Sequence, residues 1–191
     1  CTAPGSWSEY ATQLERAGAD ALEVNIYSVG ADASLSGEEL ERQYLEIVRS
    51  VKEAVKVPVA LKLSPFFTSL AHAAGRFDQA GVGALVLFNR FLQPDIDLDR
   101  MALQSSMQLS HPGEMLLSLR WIAILRDQVQ LSLAGTGGIH NGKDVIKMLL
   151  AGADVTMMAS ALLLHGPAHL QGVLSTLRTW MEEREYDSVA Q

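Results

Sequence analysis

Cysteine is nearly absent from this 191-residue sequence, in which Cys1 is the only example. A single thiol cannot form an internal disulfide, which favours a reducing compartment and predicts a cytoplasmic protein. No apolar run approaches the roughly 20 residues of a membrane-spanning helix. The segment from Cys1 to Ser8 lacks the charged and apolar pattern of a signal peptide. An initiator methionine is also missing, which suggests a processed or truncated chain.

Positive charge is in deficit as well, since the formal net charge is −7. This balance argues against non-specific nucleic-acid binding, which needs lysine and arginine clustered on one face. It does not exclude a small anionic ligand, because a few backbone N–H groups and one lysine can hold a phosphate. Hydrophobic residues make up 48% of the chain and charged residues 19%, which is typical of one globular domain with a packed core.

A faint repeat organises the chain. Its copies read AGADALEV, AGVGALVL and AGADVTMM, and they start at Ala17, Ala80 and Ala151. In each copy a helical pattern ends at glycine, which predicts a left-handed helix C-cap. The apolar run that follows predicts a parallel strand buried on both faces. The copies are separated by about two βα units, since one βαβ unit takes roughly 30 residues or more.

Two further apolar runs bring the predicted strands to residues 21–26, 58–63, 84–88, 130–134 and 155–159. Helices are predicted between and after them. Ser36 and Glu39 form a capping box before one helix, and Asn141 caps another over 144–151. Two more are predicted over 113–126 and 167–185, and the stretch 89–112 is predicted as a long loop.

Alternating strands and helices predict an α/β fold in a single domain covering residues 1–191. The pattern alone leaves both a doubly wound sheet and a barrel open. An eight-stranded barrel takes about 250 residues. If the fold is a barrel, five strands make it an incomplete one.

The chemistry of α/β folds lies just beyond the carboxyl ends of the parallel strands. The run GTGGI at 135–139 follows one such strand, and Ala159 and Ser160 end the next. Glycines permit a tight turn and let backbone N–H groups approach an anion. The two turns together predict a phosphate site of the kind found after the last two strands of a barrel. The alternative is a glycine-rich turn without a ligand.

Four side chains near other strand ends are candidates for ligand contacts. Lys62 lies within an apolar strand, where lysine is rarely buried without a partner; it either faces a ligand or reaches solvent. Asn25 and Asn89 end two strands, and buried amides need hydrogen-bond partners. Their amides either form hydrogen bonds with the edge of a bound heterocycle or cap their own loops. Ser28 is a candidate proton relay, although most loop serines have no such role.

Metal binding is not predicted. His165 and His169 are four residues apart, but Pro167 lies between them, so they do not have the spacing of a zinc pair. The alternating aspartates Asp95, Asp97 and Asp99 lack the glycine and the closing glutamate of a calcium loop.

Five motifs, in order along the chain, resemble those of one enzyme family. They are LEVN at 22–25, ALKLSPFF at 60–67, GTGGI at 135–139, ASAL at 159–162 followed by Gly166-Pro167, and YDSVA at 186–190. The corresponding family motifs read E-L-N-[LI], V-K-L-P-P-[YF]-F, GTGGI, G-T-A-L…G-P and Y-x-S-[IV]-A. From about Trp7 onwards the chain therefore resembles the dihydroorotate dehydrogenases, especially their class 1 enzymes.

The resemblance implies a (β/α)₈ TIM barrel that binds FMN, of which this chain would carry the last five βα units. The implied reaction is the oxidation of dihydroorotate to orotate in pyrimidine biosynthesis, with hydride transfer to the flavin. The implied partners are a small-molecule substrate and further copies of the chain in a homo-oligomer. Neither nucleic acid nor a membrane is among them.

The resemblance also assigns a role to each candidate residue. Lys62 would contact the flavin ring. Ser28 would take the C5 proton of the substrate, at the position where class 1 enzymes carry a catalytic cysteine. The substrate would be bound by Asn25, Asn89 and Arg90. The phosphate would be held by Gly135, Gly137, Gly138, Ala159 and Ser160.

Three positions near the candidate residues depart from the family pattern, and one of them is Gly30, where the family has a second asparagine. Tyr27 places a bulky ring where a small residue is usual, and Arg90 follows Asn89 where the family has serine or threonine. An arginine can pair with a carboxylate. These departures leave open a flavin barrel acting on another substrate, since fold does not fix function. A non-catalytic half-barrel that binds phosphate or FMN weakly is also open.

Overall fold

The structure, a computed structural model, describes residues 6–104 and 108–190. Its helices are α1 (Ser6–Arg16), α2 (Gly37–Ala54), α3 (Leu70–Gln79), α4 (Met115–Leu125), α5 (Gly142–Leu150), α6 (Ser160–His165) and α7 (His169–Glu182). Its strands are β1 (Leu22–Asn25), β2 (Val59–Leu63), β3 (Ala84–Leu87), β4 (Asp95–Asp97), β5 (Ala102–Gln104), β6 (Ser132–Thr136) and β7 (Val155–Met157). Among the helices of these ranges, none is both long and apolar enough to cross a lipid bilayer.

The main sheet is parallel and has the order β1-β2-β3-β6-β7. The order follows the chain without reversal, whereas a doubly wound sheet reverses at a switch point. The arrangement is therefore that of a barrel wall, and the α/β prediction of an incomplete barrel is confirmed. The predicted strand positions are confirmed as well, with β6 displaced by two residues from its prediction.

The two faces of the sheet differ in chemistry. On one face Leu61, Leu85 and Leu133 are at most 1% exposed and belong to a core that the surrounding helices complete. On the other face lie Glu23 and Lys62, the first exposed and the second half-buried. In a closed barrel this second face is the interior.

The glycines of the repeat adopt the predicted left-handed conformation. Gly18, Gly81 and Gly152 have φ angles of 96°, 77° and 105°. The amide after each glycine returns to a carbonyl of the last helical turn, at distances of 3.1, 3.1 and 3.0 Å. This is the hydrogen bond of a Schellman cap, which satisfies carbonyls that the helix leaves unpaired. The repeat therefore marks the junction of a helix with the next parallel strand.

The cap predicted at Asn141 is confirmed, whereas the capping box predicted for Ser36 and Glu39 is formed only in its Ser36 half. Ser36 Oγ accepts a bond from the Glu39 N–H at 3.1 Å, while the Glu39 carboxylate pairs with Arg42 at 3.0 Å. Asn141 Oδ1 caps α5 by accepting the N–H groups of the second and third residues after it. The predicted helix over 113–126 begins with a 3₁₀ turn at Pro112–Glu114 before α4. The predicted helix over 167–185 is shorter, because α7 covers His169–Glu182.

The stretch 89–112, predicted as a loop, contains an antiparallel hairpin of β4 and β5. Ile96 lies opposite Leu103 in the hairpin, and their exposed fractions are 61% and 79%. The alternating Asp-Ile-Asp pattern of β4 is the period of a strand, but three residues are too few to distinguish a strand from a loop in the sequence.

Candidate active site

Lys62 and Asn25 lie side by side near the carboxyl ends of β2 and β1, because the strand register pairs them directly. The Lys62 Nζ atom lies 3.5 Å from Glu23 Oε1, and the Lys62 side chain is 20% exposed. Glu23 is two residues before Asn25, so both side chains leave the same face of β1. The lysine is thus held on the interior face of the sheet by a carboxylate from the neighbouring strand.

Asn89 follows β3 and is 9% exposed. Its Nδ2 group donates to the carbonyl oxygens of Ile26, at 3.2 Å, and of Lys62, at 3.4 Å. Since these bonds use the amide hydrogens, the Oδ1 acceptor is the atom left for a ligand. Asn89 thereby ties together the ends of β1 and β2.

Ser28 is half-buried in the turn after β1 and forms a side-chain hydrogen bond with the phenol of Tyr44 from α2. Burial raises the pKa of Tyr44 above its usual range, and the bond from Ser28 offsets this only in part. The phenol therefore stays protonated at neutral pH and is a neutral hydrogen-bond partner for Ser28.

Aromatic rings follow each of the first three strands. Tyr27 stacks on Phe91 with ring centroids 4.3 Å apart, and Phe66 meets Phe91 edge-on at 5.3 Å. The Tyr27 hydroxyl also accepts the Leu92 N–H at 3.1 Å. These contacts attach the start of the β3–α4 connection to the turn after β1.

Arg90 is bound to groups of its own chain. Its guanidinium forms an ion pair with Glu114, and its Nε donates to the Gln108 carbonyl at 3.0 Å. Burial opposes ionisation of Glu114, but the His111 amide and the Arg90 guanidinium outweigh it and hold the pKa of Glu114 below its usual range. The positive charge of Arg90 is thus largely compensated before any substrate arrives.

The glycines of the 135–139 turn have different surroundings. Gly137 and Gly138 have φ angles of 85° and 70°, which favour glycine. A Cβ on Gly138 would lie 2.4 Å from the Met115 backbone nitrogen, whereas one on Gly137 would meet nothing within 4 Å. Gly135 lies within β6, where a Cβ would approach Ile122 to 3.0 Å. Its small size therefore permits close packing of α4 on the sheet.

The turn after β7 lies beside the turn after β6. Ala159 is exposed, and Ser160 begins α6 with its Oγ accepting the Ser110 N–H at 3.0 Å. The Ser110 hydroxyl is 3.1 Å from Nε2 of His140, the residue that follows the GTGGI run. The two predicted phosphate turns are thus connected through one residue of the β3–α4 connection.

Two neighbouring cavities open at these strand ends. One of about 290 Å³ is lined by residues that include Asn89, Glu114 and Gly137. Another of about 490 Å³ is lined by residues that include Tyr27 and Phe91. A third, apolar cavity between α5 and α7 lies away from the candidate residues.

Several residues that complete the site were not identified from the sequence: Glu23, Tyr44, Ser110, Glu114 and His140. The first had a usable signal, because it precedes Asn25 by two residues and shares its face of β1. Tyr44 is buried among the apolar residues of α2, where a tyrosine is not distinguished from the core by its spacing. The others meet their partners through contacts between residues distant in sequence, which no local pattern encodes.

The dihydroorotate dehydrogenase family model matches residues 6–181 of this chain. The chain is 28% identical over 195 residues to the catalytic subunit of dihydroorotate dehydrogenase B (NAD(+)) of Thermoplasma volcanium, covering 96% of this chain and 62% of the relative. With the subunit of the same name from Pyrococcus furiosus it is 30% identical over 193 residues, covering 97% and 63%.

The chain therefore spans about six-tenths of the length of these curated relatives. The matched segment contains the parallel sheet and both predicted phosphate turns. Fold, motif order and the family match agree with one another, and the chain belongs to the dihydroorotate dehydrogenase family.

Proposed function

We propose that this chain forms part of an FMN-dependent dehydrogenase that oxidises dihydroorotate to orotate in pyrimidine biosynthesis. The observation that carries the proposal is the shared placement of Lys62, Asn25 and the two connected turns at the carboxyl ends of the parallel strands. Barrel enzymes carry their chemistry at this face. Family membership supports the same assignment.

The residues at the turns fit FMN. Gly137 and Ser160 offer a backbone N–H and a hydroxyl, the donor types that bind phosphate. The open space beside Gly137 leaves room for an anion to approach the backbone. Lys62 would contact the flavin ring from the interior face, while Gly135, Gly138 and Ala159 would complete the phosphate turns. The bound flavin would supply the acceptor for a hydride.

The remaining groups would bind and deprotonate the substrate. Asn25 and the Oδ1 atom of Asn89 would hydrogen-bond its ring. Oxidation to orotate removes a hydride from C6 and a proton from C5, and a C5–C6 double bond forms. Ser28 Oγ would receive the C5 proton while its own hydroxyl proton passes to solvent, with the Tyr44 phenol holding the hydroxyl in place. Proton and hydride thus leave to different acceptors, which balances the reaction.

A second candidate is a flavin barrel acting on a different substrate. Arg90 is paired with Glu114 and Tyr27 is stacked on Phe91, so these two departures from the family pattern reshape the rim of the cavity. Anaerobic mixing of the flavin-loaded protein with dihydroorotate separates the candidates. Bleaching of the flavin absorbance supports dihydroorotate, and a flavin that only other reductants bleach supports the second candidate.

Flavin binding by the 191-residue chain tests the site itself. We expect fluorescence titration to show FMN binding that Lys62→Ala weakens by about tenfold or more, because a charged hydrogen bond contributes roughly 1.5–3 kcal/mol. Lys56→Ala is the matched control, since Lys56 is an exposed lysine before β2, at the opposite end of the strand. Equal FMN affinity of Lys62→Ala and the unsubstituted protein would contradict the assignment.

Partners follow from the same proposal. We expect a small-molecule substrate, a cytoplasmic location and assembly into an oligomer. The names of the relatives specify NAD(+) and a catalytic subunit, so NAD(+) is our candidate for the final electron acceptor. Size-exclusion chromatography of the purified protein would test its assembly into an oligomer. The number of NAD(+) molecules reduced per dihydroorotate oxidised would test the electron acceptor.

A further inference from the structure

One buried side chain connects three parts of the candidate site. Ser110 is 8% exposed and lies near the end of the β3–α4 connection. Its N–H donates to Ser160 Oγ at 3.0 Å, and its hydroxyl lies 3.1 Å from Nε2 of His140. Because Ser160 Oγ accepts the Ser110 bond, its own hydrogen is directed elsewhere and can serve an anion.

The backbone of His140 is held by side chains of α5 and α7. Its N–H donates to Asp144 Oδ2 at 3.0 Å, and its carbonyl oxygen is 2.7 Å from Nε2 of His169. Asp144 belongs to α5 and is 5% exposed, so this anchor is buried. The His140 backbone is therefore held at both its N–H and its carbonyl oxygen, and its imidazole contacts Ser110 from that fixed backbone.

The segment that carries Ser110 is fixed on its other side. The Gln108 carbonyl accepts Arg90 Nε at 3.0 Å, and the His111 N–H donates to Glu114 Oε1 at 3.0 Å. Gly138 fits directly against the backbone of His111 and Met115. The segment 108–111 thus contacts the end of β3, the start of α4 and the turn after β6.

We propose that Ser110 and His140 are positioning residues that set the spacing of the two phosphate turns before FMN binds. A phosphate held between turns on separate strands needs donors from both at once. Fixing the two turns in advance reduces the cost of ordering them on binding. The inference rests on the proposed function, because it presumes that the turns bind the FMN phosphate.

A comparison of FMN with riboflavin isolates the phosphate, because the two ligands differ only there. We expect the unsubstituted 191-residue chain to bind FMN more tightly than riboflavin in fluorescence titrations. Ser110→Ala should reduce that preference by roughly tenfold, the effect of one lost hydrogen bond, while riboflavin affinity stays unchanged. His140→Gln should act in the same direction. Ser110→Thr, which keeps the hydroxyl, should restore most of the preference.

Ser50→Ala and His72→Gln are matched controls, since both residues are exposed and lie on α2 and α3. An unchanged FMN preference in Ser110→Ala overturns the positioning role and leaves the phosphate site standing. An equal loss of FMN and riboflavin affinity shows a merely structural role and overturns it as well. If the unsubstituted chain does not prefer FMN over riboflavin, the proposed phosphate site fails, and the inference fails with it.

Discussion

Gly137 and Gly138 are adjacent and both left-handed, yet only at Gly138 would an added Cβ meet backbone atoms. Gly137→Ala should cost about 1 kcal/mol of unfolding free energy, the cost of a left-handed alanine. Gly138→Ala should cost about 3 kcal/mol or more, because its methyl group would also meet the Met115 nitrogen at 2.4 Å. Urea unfolding of the two variants measures the difference. Equal destabilisation would contradict the close packing of this turn against α4.

Side chains at strand ends were predictable as candidates, because strand position follows from apolar runs. Their partners were not. The sequence predicted that Lys62 lies within a strand, but not that Glu23 pairs with it, since that contact depends on the register of β1 against β2. For Asn89 the sequence left open a ligand contact or a loop cap, and the amide in fact joins two strand ends. The functional roles of both residues remain predictions.

At the scale of elements, the β3–α4 connection is held at its base by the Arg90–Glu114 ion pair. A carboxyl whose pKa is lowered by folding adds stability above its unfolded pKa, near 4.5, and loses it as pH falls through the folded pKa. The difference in free energy of unfolding between the unsubstituted protein and Glu114→Gln should therefore be largest near pH 7 and shrink below about pH 4.5. Urea denaturation between pH 3 and 7 measures it.

Glu182→Gln is the control for this series, because Glu182 is exposed near the end of α7. The free energy of unfolding of Glu182→Gln should differ little from that of the unsubstituted protein. This difference should not shrink as the pH falls below about 4.5. A Glu114→Gln difference that is constant from pH 7 to pH 3 would contradict the account of the ion pair.

Helices and parallel strands were predictable because each has a long pattern and a chemical boundary, such as Ser36, Asn141 or the repeat glycines. The hairpin of β4 and β5 was not, since each strand has three residues and its apolar side chains remain exposed. The start of α4 differs from its prediction because a local bond competes with the helical pattern. Glu114 belongs to a 3₁₀ turn that accepts the His111 amide.

At the scale of the whole molecule, β1 and β7 are the outer strands of the described sheet. Unpaired edges favour association, so we expect the 191-residue chain to associate as its concentration rises. Val155 in β7 is 53% exposed, and Val155→Lys should weaken this association because a charged side chain at an edge disfavours pairing. Sedimentation equilibrium measures it. Leu163→Lys, in α6, is the control, and an equal effect of both variants would point to general charge repulsion.

The β3–α4 connection touches both ends of the sheet. It meets the turn after β1 through the Tyr27 hydroxyl and the turn after β7 through Ser160. A sheet bound in this way cannot flatten without breaking those hydrogen bonds. The curvature that a barrel needs is therefore supported by contacts within this chain. These contacts lie at the carboxyl ends of the strands, where the candidate site also lies.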